Sequence, residues 1–258
     1  MKIALFSDIH LEIADWRFES IDADVIILAG DIAQGSAGIT WAEKTILNRV
    51  PNKIVIYVAG NHEYYDSHLG LLRKFQNTEN RHPNLHYLEN QVFTHRDGVR
   101  FLGTTLWSDF SLYGAEAIES SMAAASRYLM DFRAIQTEDR SLLLPSNLPV
   151  FFQKAVRWLE QELAKPFDGK TVVITHFAPH RDCIAPQYKG DLLTPYFVSD
   201  LSWLIEKYPI DAWCFGHTHH NVDFIAKGGC RVVSNQVGYP TERFKNGHNF
   251  RSDFFIEL

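Results

Sequence analysis

Five short clusters of donor side chains recur along the chain: Asp8-Ile9-His10, Gly30-Asp31, Gly60-Asn61-His62-Glu63, Thr175-His176 and Gly216-His217-Thr218-His219. Seven of their residues (Asp8, His10, Asp31, Asn61, His176, His217 and His219) offer oxygen or imidazole nitrogen and no sulfur. That donor mixture suits Mn, Fe, Zn, Co or Ni better than Ca or Mg alone. Seven donors are too many for one ion that keeps an open position, and about right for two ions sharing a carboxylate. The Asp8-x-His10 and His217-x-His219 spacings predict extended segments whose alternate side chains point the same way. Gly30, Gly60 and Gly216 are expected to let the backbone turn sharply next to crowded ions.

Taken singly, each cluster has a plainer reading. Asp8 and Asp31 can cap turns, Asn61 after Gly60 suits a turn, and His176 can be a hydrogen-bonded core residue. Together those readings require five coincidences. The set, in this order over residues 8–219, resembles the five-motif signature of the calcineurin-like metallophosphoesterase superfamily. One departure is mild: the asparagine-histidine motif often ends in Asp, and here it ends in Glu63, a position that is not a metal ligand in the family. The resemblance implies that Asp8, His10 and His219 bind one metal, that Asn61, His176 and His217 bind a second, and that Asp31 bridges them. It also implies that His62 faces the substrate phosphate, and that the fold is a four-layer α-β-β-α sandwich of two mixed sheets. Two ions about 3.5–4 Å apart clamp a phosphate and lower the pKa of a bridging water toward neutrality. The implied activity is a hydrolase of phosphate esters, monoester or diester, in which a metal-bridging hydroxide attacks phosphorus and His62 assists as a proton donor. The implied cofactors are two divalent or trivalent ions (Mn, Fe, Zn, Ni or Co, with Mn or Fe favoured). The alternative is a non-catalytic metal-binding scaffold of the same fold that binds partner proteins. Such a protein is expected to lack some ligands or the counterpart of His62, and this chain carries all eight residues.

Elements must carry these residues to one place. Lys2 to Ser7, Asp24 to Ala29 and Lys53 to Ala59 are Ile- and Val-rich runs that end in the first three clusters, as buried strands do. Gly38 to Val50 and Ser67 to Asn80 read as helices between and after them, so the fold class is α/β with a partly parallel sheet. Further strands are predicted at Thr171–Thr175, Asp211–Phe215, Val222–Ala226, Arg231–Ser234 and Asp253–Leu258. In such sheets the carboxyl ends of the strands converge on one crevice. Val150 to Lys165 is an amphipathic helix with Phe151, Ala155, Trp158, Leu159 and Leu163 largely on one side. Residues 108–150 read as a mainly helical insertion, with a helical run over 115–134, in a single domain spanning 1–258.

Composition narrows the partners. The chain has 258 residues, 25 basic and 31 acidic side chains, and a net charge of −6. That balance argues against long nucleic acid and is compatible with a small phosphorylated substrate. Arg127, Arg133 and Arg140 are candidates for a local anion patch. No apolar stretch approaches the ~20 residues of a membrane span. Asp8 interrupts the N-terminal apolar run before a signal-peptide core is complete, so cytoplasmic residence is expected. The three cysteines, Cys183, Cys214 and Cys230, are too few and too scattered for a disulfide scaffold or a thiolate zinc site. Of the 12 histidines, His68, His82, His86, His95, His180, His220 and His248 fall outside the clusters and read as surface or turn residues, with His180 and His220 candidates to support ligands. Tyr64, Tyr65, Trp107, Tyr188 and Tyr239 flank the cluster turns and are expected to belong mainly to the core.

Overall fold

Two mixed sheets carry the clusters. The structure is a computed structural model, and it describes residues 1–19, 21–77, 81–243 and 249–258. The strands in chain order are β1 (Lys2–Phe6), β2 (Val25–Ala29), β3 (Ile54–Val58), β4 (Ser67–His68), β5 (Leu85–Tyr87), β6 (Gln91–His95), β7 (Val99–Thr104), β8 (Ile135–Gln136), β9 (Lys170–Thr175), β10 (Ala212–Phe215), β11 (Asp223–Ile225), β12 (Arg231–Ser234) and β13 (Phe255–Glu257). The first sheet has the order β13-β1-β2-β3-β5 and the second β11-β12-β10-β9-β7-β6. Within each the central strands are parallel, and an antiparallel strand lies at an edge: β13 on β1, β11 on β12, and β6 on β7. Parallel strands covered on both faces read as continuous apolar runs, which is why β2 is VIILA with all five residues buried.

The pleat sorts these runs into layers. Ile3, Leu5, Val25, Ile27, Ile56 and Val58 of the first sheet pack with Phe101, Val172, Ile174, Cys214 and Val233 of the second, in a core between the sheets. Their alternate neighbours, Ala4, Phe6, Ile26 and Leu28, belong to a second core that includes the helices. Ile39, Ala42 and Ile46 reach it from α1 (Ala37–Trp41) and the π-helical turn 42–47 that continues it. Leu148, Phe152, Ala155, Leu159 and Leu163 do so from α4 (Leu148–Leu163). Phe151 and Trp158, expected on that face, are only half-buried at its margin. Helix, sheet, sheet and helix are therefore the four layers that the motif resemblance implies.

Some elements differ from expectation. Residues 67–80 are not a helix: the described part holds the short strand β4 and a 3-10 turn over Leu71–Gln76. Gly70 and the pairing of Ser67 and His68 with β8 break the helical repeat there. The strands β5, β6 and β7 were not expected. β6 is an edge strand with two of its five residues exposed and none fully buried, so its apolar signal is diluted. The run at 115–134 is α2 (Ile118–Tyr128) and α3 (Asp131–Ala134), parted at Leu129 and Met130. The remaining helices, α5 (Thr194–Phe197) and α6 (Ser202–Lys207), lie between β9 and β10. No described helix is long and apolar enough to cross a membrane.

Candidate metal centre

Asp8, Asp31, Asn61, His176 and His217 lie one to three residues beyond the carboxyl ends of β1, β2, β3, β9 and β10. The backbone there is unusual. Asp8 (φ 53°), His10 (53°), Asp31 (54°), His217 (73°) and His219 (49°) all adopt the left-handed conformation, which costs non-glycine residues of order 1 kcal/mol or more each. Neither x-spaced pair is extended, contrary to the expectation from spacing. The curled backbone sends His219 toward Asp8 and His10, and His217 toward Asp31 and His176. The glycines also act differently from expectation. Of the three, only Gly30 has a left-handed φ. Gly60 and Gly216 supply room: a Cβ on Gly60 would overlap Asp31 Oδ1, and one on Gly216 would lie 2.7 Å from Asp8 Oδ2.

The ligating atoms converge. Asp8, His10 and His219 form one group, His10, Asp31 and His62 a second, and Asp31, His176 and His217 a third, each with its donor atoms within 4.8 Å of one another. His10 Nε2 is 3.1 Å from His219 Nε2, and His219 Nε2 is 3.4 Å from Asp8 Oδ1. His176 Nε2 is 3.3 Å from Asp31 Oδ2 and 3.1 Å from Asn61 Oδ1. Donors bonded at about 2.0–2.1 Å to one ion lie about 2.9–3.4 Å apart in octahedral or tetrahedral coordination. These four separations match that spacing, and Asp31 stands between the groups. His217 Nε2 is buried without a hydrogen-bond partner, as a nitrogen directed at an ion would be. The residues therefore fit a pair of metal ions.

The imidazoles are held from behind. His10 Nδ1 pairs with Glu12 Oε1 at 3.0 Å, His219 Nδ1 with Glu242 Oε2 at 2.6 Å, and His176 Nδ1 with the Ala29 carbonyl at 2.9 Å. Each contact leaves Nε2 free to face the centre. His217 lies between the rings of Phe177 (4.0 Å) and Phe197 (4.8 Å, nearly parallel). His62 is anchored in the same way, with Nδ1 2.9 Å from Glu12 Oε1 and its ring stacked on Tyr65 at 4.2 Å. Its Nε2 is 4.0 Å from Asp31 Oδ2.

Charge follows from this packing. Burial opposes protonation of His62 and His176, but the Asp31 carboxylate outweighs it, with Glu12 adding at His62, and each rises to about 9. Burial likewise opposes His219, which Asp8 and Glu242 raise to about 10. His217 is pushed well below its ordinary value by burial and by His176 beside it. Burial pushes Glu12 up, but hydrogen bonds from His10 and His62 bring it down to about 2. A metal ion bound among these carboxylates would displace the protons they hold on His176 and His219.

All eight residues expected from the sequence are brought together. Four further contributors were missed. Glu12 lies two residues past His10 in the turn that follows it, near in sequence to the ligands it supports. Glu63 is no ligand, yet it ties two strand ends together by accepting from the Asp31, Ile32 and Gly60 amides and the Tyr57 hydroxyl. Asp131, from α3, accepts from Asn61 Nδ2 at 3.1 Å, Tyr65 OH at 2.7 Å and Tyr196 OH. It thereby turns Asn61 Oδ1 toward the centre. Asp131 and Glu242 have no local sequence signal. His180 and His220 do not support the ligands; the His180 side chain accepts from the Asp182 amide instead. His248 lies outside the described residues. Tyr64 and Trp107 are core, whereas Tyr65, Tyr188 and Tyr239 line the cleft, against expectation. None of Arg127, Arg133 and Arg140 lines it. The three thiols are free and buried.

Comparison with known proteins identifies the family. A family model described as calcineurin-like phosphoesterase matches residues 1–221. An uncharacterised protein of Acanthamoeba polyphaga mimivirus is 27% identical over 281 residues, covering 98% of this chain and 95% of that one. Phosphopantetheinyl hydrolase from Mycobacterium tuberculosis has a similar structure, with a TM-score of 0.68, 22% identity, and coverage of 95% of this chain and 93% of that one. A dimetal phosphatase from Danio rerio gives a TM-score of 0.51 at 16% identity, covering 90% and 86%. Both structures share the fold. The chain belongs to the calcineurin-like phosphoesterase family, and is a metal-dependent phosphoester hydrolase.

Proposed function

We propose that this chain hydrolyses small phosphate esters at a dinuclear centre in which Asp8, His10 and His219 hold one ion, Asn61, His176 and His217 hold the other, and Asp31 bridges them. The observation that carries the reading is the convergence of the Asp8 and His217 groups on either side of Asp31, with His217 Nε2 left unpartnered. When bound, two divalent ions supply Lewis-acid charge for the phosphate and acidify a water. The protein's own residues do the rest. Glu12 fixes the His62 ring through Nδ1, and Tyr65 fixes its plane, so that Nε2 faces the cleft beside Asp31. Paired with Glu12 through Nδ1, His62 acts as the imidazolium that donates its Nε2 proton to the leaving oxygen. Mn or Fe is the favoured metal for this nitrogen-and-oxygen set. We read residues 1–258 as one catalytic domain in which 108–150 is an insertion that shapes the cleft, because Asp131 reaches Asn61 from it. The cysteine usage favours the cytoplasm.

The test compares p-nitrophenyl phosphate with bis-p-nitrophenyl phosphate, each with Mn²⁺, Fe²⁺, Zn²⁺ and Ni²⁺. His62→Ala is expected to lower kcat by about 10²–10⁴ while two ions stay bound. Near-wild-type turnover in that variant removes His62 from the mechanism. A stoichiometric metal pair without activity on any phosphoester returns the scaffold reading.

A further inference from the structure

Beyond the ligands, the cleft continues between the α2–α3 joint and residues 183–198. Its volume is about 440 Å³, within the range of small-molecule sites. Tyr128, Leu129, Met130, Tyr188, Leu193 and Phe197 line this part. Tyr128, Met130 and Tyr188 keep 62%, 54% and 54% of their surface exposed, an apolar concentration that a solvated surface gains nothing from. Phe197 stacks on His217, so the apolar wall runs up to the candidate metal ligands.

Beside this apolar wall, away from the histidines of the ligand end, the charged lining side chains are acidic. Among the described lining residues there is no lysine or arginine; the carboxylates besides Asp31 are Asp131 and Glu242, which hold Asn61 and His219, and Asp191 on the far wall. Of the insertion's arginines, Arg127 holds its guanidinium 5.3 Å over the Tyr128 ring and Arg133 donates to the Arg127 carbonyl; neither is a lining residue. A second anionic group seated on the apolar wall would be desolvated near Asp191 with no lysine or arginine among the described lining residues to meet it.

Resting on the hydrolase reading above, we infer that the organic group of the phosphoester is uncharged and mostly apolar, seated on Leu129, Met130, Tyr188 and Phe197. Substrates with a second anionic group are rejected. The metal ions bind the phosphate whatever it carries, and this wall selects the group attached to it.

Two measurements on the Mn²⁺-loaded full chain test this. The first is calorimetric binding of n-alkyl phosphonates from methyl to hexyl. The second is hydrolysis of p-nitrophenyl n-alkyl phosphates over the same lengths. Burial of a methylene in an apolar site corresponds to about a twofold to fourfold gain, so affinity and kcat/KM should each rise about 30-fold or more across the series. A 5-carboxypentyl phosphonate should bind no tighter than methyl phosphonate. Met130→Ser and Tyr188→Ser, both at half-exposed positions, should flatten the length dependence. A rise of less than about threefold, or equal binding of the carboxylate and hexyl compounds, overturns the inference. A flat series beside rapid hydrolysis rejects the apolar subsite alone. A steep binding series with no hydrolysis of any phosphoester supports the subsite and rejects the hydrolase reading.

Discussion

Replacing Glu63 by glutamine tests how the strand ends are held in place. Glu63 has no exposed surface. Its Oε2 accepts from the amides of Asp31 (3.0 Å) and Gly60 (2.7 Å), and its Oε1 from the Ile32 amide (2.8 Å) and the Tyr57 hydroxyl (2.7 Å). Every neighbour is a donor. Glutamine preserves length and volume but turns one terminal atom into an NH₂ donor. Placed on the Oε2 side, that group opposes two amides that cannot reverse. Placed on the Oε1 side, it opposes the Ile32 amide, while the Tyr57 hydroxyl rotates to accept. The second orientation is cheaper and leaves one buried amide unpaired, at about 1–3 kcal/mol. Loss of charge assistance in the two surviving bonds adds about 1 kcal/mol, so Glu63→Gln should cost about 2–4 kcal/mol. At about 2.1 cal/mol/K per residue, unfolding of this chain carries about 0.54 kcal/mol/K of entropy, and Tm should fall by about 4–7 °C. Glu63→Ala strands three amides and a hydroxyl, at about 4–12 kcal/mol, comparable with the whole stability of a domain.

The assay is urea and thermal unfolding of chelator-treated protein near pH 8.5. Burial and the neighbouring Asp31 carboxylate raise Glu63 to about 7, so it is ionised under that condition. Tyr57→Phe sharpens the test. Alone it removes one donor and should cost about 1 kcal/mol; combined with Glu63→Gln it also removes the acceptor for the new NH₂. The double variant should therefore be worse than the sum by about 1–2 kcal/mol. Additivity, or a loss below about 1 kcal/mol for Glu63→Gln, would refute this reasoning.

Other consequences are more direct. Asp131→Ala takes the acceptor from Asn61 Nδ2, Tyr65 and Tyr196, and should weaken binding of one of the two ions by about 10–100-fold in a chelator competition; unchanged affinity for both contradicts its positioning role. Leu159→Ala on the buried face of α4 should lower stability by about 2–5 kcal/mol, read from urea unfolding, with kcat of the folded enzyme unchanged. Chelation should lower Tm by about 5 °C for each ion present at a hundred times its Kd, since binding at that level contributes about 2.7 kcal/mol. His86, half-buried and stacked on Phe93, is lowered to about 4 by burial and then by Arg81. Its folded value lies below the free value of about 6.5, so the contribution is complete above that pH and is lost as pH falls toward 4. After allowance for its exposure, the loss should be about 1–2 kcal/mol, and pH-dependent unfolding of His86→Phe should lack that component.

What the sequence disclosed, and what it hid, divides along a physical line. The strands ending in the ligand clusters were legible because parallel strands buried on both faces must be apolar throughout, and VIILA or TVVIT admits few other readings. The ligand types were legible because oxygen and imidazole donors at five strand ends have little reason to recur together without an ion. The edge strand β6 was not legible: none of its five residues is fully buried, and such runs resemble loops. The backbone within each cluster was hidden for another reason. Spacing two apart implies a common direction only in extended backbone, and Asp8, His10, His217 and His219 are left-handed, a conformation that the surrounding structure must hold in place.

The supporting carboxylates show the same division more sharply. Glu12 lies two residues past His10, so its partner is at least near it in sequence. Asp131 meets Asn61 across 70 positions, and Glu242 meets His219 across 23. An aspartate on a short helix has no local trait that separates it from a solvated one, because its partners come from distant strands. What distinguishes Asp131 is burial with three donors and no cation among its hydrogen-bond partners, and only the packing of the 108–150 segment on the cleft creates that state. The donors at the strand ends are therefore written in local sequence, whereas their orientation and the wall beside them depend on how a less regular segment packs. A segment of that kind can change while the five clusters stay fixed, so sequence motifs identify the reaction centre before they identify the molecule it acts on.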